Sequence, residues 1–383
     1  MKERREEEVR VSTLELFFDL VFVFTITQLT SILAHHPDGE HLLQVVLMLG
    51  VIWWMYGGFA WLTNAVAPDR DARRLLLLGG MACWLVISLT IPTAFDGDGA
   101  IFAAAYFVVI LIHVGLFRQA WAASAASAIL KTVRFNLAGA TLILLAAIVG
   151  DEPWEYVLWG AAFAVLVSSV WIQDSTGFRI RVAHFVERHG LVVIVALGES
   201  VVAVGIGASG QEITPGMLAV AILGLGLAAA LWWAYFGEEA AEDDAGALAA
   251  SPEHERPQVA LHSYYFGYLP ILLGVIAVAA GLEEGIAHAY DPAKLGIAIA
   301  LGGGAACFLA GVIVFRLALG IRPPAGRAIA AVLALATVPL GTEGSALLQI
   351  GVLFAVLAAC LAVEVRGLQE RPAPGAAAQP PAP

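Results

Sequence analysis

Charge is scarce in this sequence. Asp, Glu, Lys and Arg make up 14% of its 383 residues, against roughly 25% in a soluble globular domain. Cysteine is scarcer still. Cys83, Cys307 and Cys360 each sit inside an apolar run, without metal-ligand spacing and without the number a disulfide framework needs. They read as small apolar packing residues. No Walker loop, dinucleotide fingerprint, nucleophile elbow or H-E-x-x-H zinc helix is present, which weighs against the enzyme classes built on them. Basic residues are outnumbered, with a net charge of −12, so phosphate-rich partners such as nucleic acid are excluded. No cofactor or metal is expected.

What the chain has in abundance is apolar sequence. Its apolar fraction is 60% and its mean hydropathy is +0.83. A soluble protein of this composition could not cover its core. The expected class is an all-α polytopic membrane bundle, with the lipid bilayer as its surroundings. A span needs about 20 mostly apolar residues, and twelve candidates meet the test: 12–34, 42–65, 74–95, 100–118, 128–149, 154–173, 189–208, 214–236, 260–281, 293–317, 325–341 and 345–366. The first is long enough to stay in the membrane as an anchor, and no signal-peptide cleavage site follows it.

The loops support this count. With residues 1–11 in the cytoplasm, only Lys294 of the 20 basic residues falls on the far side, and the loops there are short and acidic. The positive-inside rule then puts both termini in the cytoplasm. The chain divides into an N-terminal segment 1–11, a first six-helix half 12–180 and a second half 181–366. A Pro- and Ala-rich tail, 367–383, reads as disordered. Residues 237–259 form an acidic internal loop, read as a solvated charge run.

The two halves echo each other. FFDLVFVFTI (17–26) aligns with LGESVVAVGI (197–206), setting Asp19 against Glu199, and WWMYGGF (53–59) aligns with WWAYFGE (232–238). Duplicated six-helix units would run parallel, and repeat-built membrane proteins often place a site where their halves meet.

Several residues are candidates for chemistry. Glu15 and Asp19 are four apart and share a helix face. Asp19 and Glu199 lie roughly 10 and 14 Å from the starts of their expected spans, at 1.5 Å per residue. A charge at the bilayer centre costs at least about 2.5–3.5 kcal/mol, so such groups should face protein or water and be paired, protonated or bound to a cation. Carboxylates so placed suit proton exchange or cation binding. The plainer role for Glu15 is to stabilise a helix start.

His184, Glu187, Arg188 and His189 gather where the seventh span enters the membrane. Their H-x-x-E-x-H spacing matches no zinc motif, and they read as an ion-pair anchor or a cytoplasmic gate. His113 and His262 are lone span histidines, more often satisfied hydrogen-bonding groups than proton relays. Arg134 either snorkels to the interface or serves as counter-charge to Asp19. Gln28, Asn64 and Gln349 can bond across helices. The Trp53, Trp54, Tyr56 and Trp61 group reads as an interfacial belt or packing, with a cavity wall as the alternative. The run LGGGAAC (301–307) is a small-residue face for close helix approach.

VSTLELFFDLVFVFTITQL, WWMYGGFAWLTN, ERHGLVVIVALGESVVAVG and WWAYF, in this order over the first 240 residues, together resemble the bacterial low temperature requirement A family. The resemblance implies a multi-pass bacterial inner-membrane protein connected with growth in the cold, and no substrate. It marks Glu15, Phe17, Phe18, Asp19, Glu187, Arg188, Gly190, Gly198 and Glu199 as motif positions.

The leading functional expectation is a transporter or channel for a small ion or solute, with Asp19 and Glu199 sharing one polar space. The alternatives are a scaffold or sensor with structural ion pairs, and an intramembrane lipid-modifying enzyme using a carboxylate and a histidine.

Overall fold

The computed structural model describes residues 11–66, 68–119, 123–150, 153–172, 178–237 and 240–369. The expected N-terminal segment, except Val11, and the tail from residue 370 lie outside the described residues. Twelve helical segments among the described residues are long and apolar enough to cross a bilayer, matching the expected count. No strand occurs among those residues.

The first six spans are α1 (Thr13–His35), α2 (Gly39–Ala65), α3 (Asp71–Thr90), α4 (Gly99–Phe117), α5 (Ala123–Val149) and α6 (Trp154–Ile172). The next two are α7 (Val182–Gly207) and α8 (Pro215–Phe236). A short helix α9 (Ala240–Ala250) precedes the ninth span. That span is assembled from α10 (Arg256–Leu261), a π-helical turn (His262–Gly267) and α11 (Tyr268–Ala287). The last three are α12 (Leu295–Ala318), the broken pair α13 (Ala325–Ala336) and α14 (Val338–Thr342), and α15 (Ala346–Gln369).

Local chemistry sets the ends. Ser12 and Glu15 form a capping box on α1. Asp38 caps α2 by accepting from the His41 backbone N–H at 2.9 Å. That bond and a second from the His41 ring hold the exposed Asp38 carboxyl below its ordinary pKa. The eleventh span breaks at Thr337, two residues before Pro339, whose ring cannot continue the hydrogen-bond ladder.

Burial picks out the centre of the bundle. In the most apolar window of α2, 72% of residues are buried, and in the ninth span 78%, against 28% in the span of α13 and α14. Helix α11 packs on α7, α1 and α12, and α7 also touches α1, α2 and α8. The expected small-residue face joins α12 to α11. A Cβ on Gly274 would come within 2.6 Å of the Gly304 carbonyl, and one on Gly304 within 2.9 Å of Ala277 Cβ.

Three expectations change. The seventh span begins at Val182 rather than residue 189, so the histidine and arginine cluster lies within the first two turns of a helix. The acidic segment expected as solvated loop contains α9, which buries Leu248 and Asp244 against the bundle. The two aromatic clusters differ in role. Trp53 and Tyr56 are core residues, whereas Trp232 and Trp233 are exposed on α8.

Candidate functional site

Helices α1 and α7 run side by side in the same direction, and their seam carries polar groups at two levels. The lower level is near the end of the bundle that bears the basic loops. Asp19 and Arg188 each lie six residues into their helix, about 9 Å from its start.

The Arg188 guanidinium reaches Glu15 Oε1 at 2.8 Å and Asp19 Oδ1 at 3.1 Å, and donates to Thr63 Oγ1 at 3.1 Å. The Tyr56 hydroxyl donates to Asp19 Oδ1 at 2.6 Å. Phe18 and Tyr56 present their rings to the guanidinium at 5.8 and 5.9 Å. Arg188, Glu15 and Asp19 are all at most 2% exposed. Glu15 also accepts from the backbone N–H and hydroxyl of Ser12, so it closes the helix end and joins the ion cluster at once.

His184 Nε2 lies 3.2 Å from Glu15 Oε1. Asn64 fixes its tautomer. The Asn64 amide is oriented by two bonds to the Arg181 backbone, which leave its NH2 3.3 Å from His184 Nδ1. Nδ1 is therefore the acceptor, and Nε2–H donates to Glu15. Two carboxyl groups thus face one guanidinium.

The upper level lies about 12–16 Å further along the seam. Thr27 of α1 donates to Glu199 Oε2 at 2.7 Å. Glu199 is 1% exposed. Its Oε1 has no hydrogen-bond partner, and no ion pair to it occurs among the described residues. Glu283 of α11, itself buried, is near enough for its charge to act on Glu199. Buried apolar residues, including Phe22, Ile26, Val192 and Ala196, fill the seam between the levels.

Beside the lower level is a cavity of about 100 Å³. Its wall includes Trp53, Trp54, Trp61, His113, His189, Tyr264 and Tyr265. The π-helical turn shifts the ladder locally, and the adjacent Tyr264 and Tyr265 are both buried there. Trp53 stacks on Tyr56 at 5.3 Å and on Tyr268 at 5.6 Å, so one aromatic layer separates the cavity from Asp19.

The candidates thus fall into groups. Glu15, Asp19, His184 and Arg188 come together. Glu199 lies apart from them along the same seam, and the cavity reaches neither Asp19 nor Glu199. His113 and His189 line the cavity, each with a ring N–H donated to a backbone carbonyl, Gly58 and Phe185. His262 is half-buried beside Gln258, and Glu187 is exposed.

Arg134 is not the counter-charge of Asp19. It is exposed and lies over its neighbour Phe135, and Arg188 takes that place. Trp53 and Trp54 form cavity wall rather than belt. Sequence reasoning missed Thr27 and Thr63 altogether and took Tyr56 for belt or packing. Thr27 lies two turns beyond Asp19, a spacing that keeps both near one helix face.

No group of three or more His, Cys, Asp or Glu among the described residues could hold a metal ion. The model of the family described as bacterial low temperature requirement A protein matches residues 10–364. A protein of Rhizobium meliloti (strain 1021), described as uncharacterized, is 28% identical over 332 residues, covering 82% of this chain and 78% of its own length. No solved structure matches.

Proposed function

The chain belongs to the bacterial low temperature requirement A family, and we propose that it moves protons or a small cation across the bacterial inner membrane along the α1–α7 seam. Both termini lie in the cytoplasm, on the side of the basic loops. One observation carries the reading: the seam holds three buried carboxyl groups, Glu15, Asp19 and Glu199, against a single guanidinium. An isolated buried carboxylate is too costly to persist in a membrane bundle. Glu199 is therefore held either as the neutral acid or with a bound cation, and a group that alternates between these forms is a carrier. The lower cluster acts as the gate. Its charge-assisted bonds hold α1, α2 and α7 together, and opening it requires water to replace them.

The scaffold reading is favoured by one feature, the double use of Glu15 as helix cap and ion-pair partner. The enzyme reading has less support, because no acid lines the cavity beside His113 among the described residues.

Purified chain in proteoliposomes, under an imposed pH or cation gradient, should pass ions at a rate that Glu199→Gln lowers tenfold or more. Loss should occur with helicity and melting temperature retained. Absence of flux under every gradient, in vesicles that contain folded protein, would overturn the proposal.

A further inference from the structure

A groove of about 610 Å³ runs between α8 and α15, away from the ion seam, and its described lining residues all belong to these two helices. At its inner end Phe354 lies against Gly226, where an added Cβ would come within 3.0 Å of the ring. Beyond that contact the lining side chains are short: Ala229 and Ala230 on α8, Ala358 and Ala362 on α15. Ala229 and Ala362 are exposed, so the groove is open to whatever surrounds the bundle.

Its length and its polarity say what that is. Arg366, in the last turn of α15, marks the other end, and Trp233 of α8 lines it too. Phe354 and Arg366 are twelve residues apart on one helix, about 18 Å. Half of a hydrocarbon core is about 15 Å. The groove therefore spans one leaflet, the one on the side of the basic loops. Water does not fill an apolar groove at that depth, but an acyl chain does. Trp233, 42% exposed, stands at headgroup level, where amphipathic rings collect. Arg366 is exposed and can lay its stem along the groove with its guanidinium at the surface. No carboxylate lines the groove, and Glu364, two residues before Arg366, is taken by Arg327 at 2.7 Å. Basic side chains placed so between helix ends attract anionic headgroups. A second copy fits less well. A two-fold axis along the membrane normal would bring two Arg366 side chains to one level, like charge against like.

We infer that the groove binds one anionic phospholipid of the leaflet on the basic-loop side, with an acyl chain along the alanines and its phosphate on Arg366. This site stands independently of ion movement along the seam.

Native mass spectrometry of the full-length chain, released from micelles, counts bound lipids one at a time. The probes are dioleoylphosphatidylglycerol and dioleoylphosphatidylcholine, which share their chains and differ in net charge. The first phosphatidylglycerol should bind about fivefold tighter than the first phosphatidylcholine, the worth of one basic residue at an anionic lipid surface. Arg366→Gln should erase that preference, and Arg366→Lys should keep it. Ala362→Phe fills the groove and should weaken the first phosphatidylglycerol to the level of those that follow it. Val363→Phe, one residue on, 70% exposed and outside the groove, should change nothing. Glu199→Gln should change nothing either, which separates this inference from the proposed transport.

Equal binding of the two lipids, or a preference that survives Arg366→Gln, would overturn the proposal. Displacement of the lipid by an equal concentration of glycerol phosphate, the headgroup without chains, would do the same. So would a dimer in gel filtration that Ala362→Phe dissolves, which would give the groove to a second copy. Should Ala362→Phe fail to fold, the comparison of Arg366→Gln with Arg366→Lys decides.

Discussion

At the scale of single residues, Arg188 is the pivot. It is 1% exposed and bonded to two carboxylates, a threonine and two ring faces. Removing one partner of a buried pair leaves the others uncompensated, at about 3–5 kcal/mol. Arg188→Ala should therefore lower the melting temperature sharply, whereas Glu187→Ala, one residue away and exposed, should leave it within experimental error. Equal melting temperatures would mean that the cluster holds nothing together. The pair Glu15 and Asp19 was legible from their four-residue spacing and depth. Their partner was not, because a contact across 169 residues leaves no local periodicity, and Arg134 looked as suitable as Arg188. The extent of α7 decides between them. Once His184 to His189 lie inside the helix, Arg188 stands on the face turned to α1.

At the scale of elements, α9 was hidden by its composition. Five acids in Glu238 to Asp244 read as solvated charge, yet Asp244 and Leu248, one helical turn apart, are buried together. Burial pushes the Asp244 carboxyl up to about 6, against the opposing pull of Arg316 and Arg327 and with a smaller push from Asp243. The docked helix then binds more protons than the free one between about pH 4 and pH 6. Docking is therefore tightest at the acid end of that window and weakens as pH rises through it. Proteolysis between residues 237 and 256 should be slower at pH 5 than at pH 7.5, and Asp244→Asn should flatten that difference. A rate that falls as pH rises would reverse the sign and refute the account of α9. The α11–α12 face was readable from its run of small residues. Gly304→Leu should destabilise the fold by roughly 1–3 kcal/mol or more through overpacking, as seen in thermal unfolding in micelles.

At the scale of the whole molecule, the number of spans was legible because hydropathy and the one-sided basic loops are cumulative signals that tolerate local error. Which helices lie at the centre was not, since lipid and helix interiors are both apolar and the difference emerges only from tertiary contacts. The two-level seam depends on that arrangement. Its claim is that Glu15 and Asp19 are locked by Arg188, while Glu199, held by Thr27 alone among the described residues, exchanges its proton or cation. Modification by an apolar carbodiimide, which attacks neutral carboxyl groups, measures this directly when the labelled residue is read by mass spectrometry. The account predicts label at Glu199, falling as pH rises and faster in Thr27→Val, with Glu15 and Asp19 unlabelled in the folded protein. Label on Glu15 and Asp19 at the rate of Glu199, or an unreactive Glu199 at every pH, would contradict it.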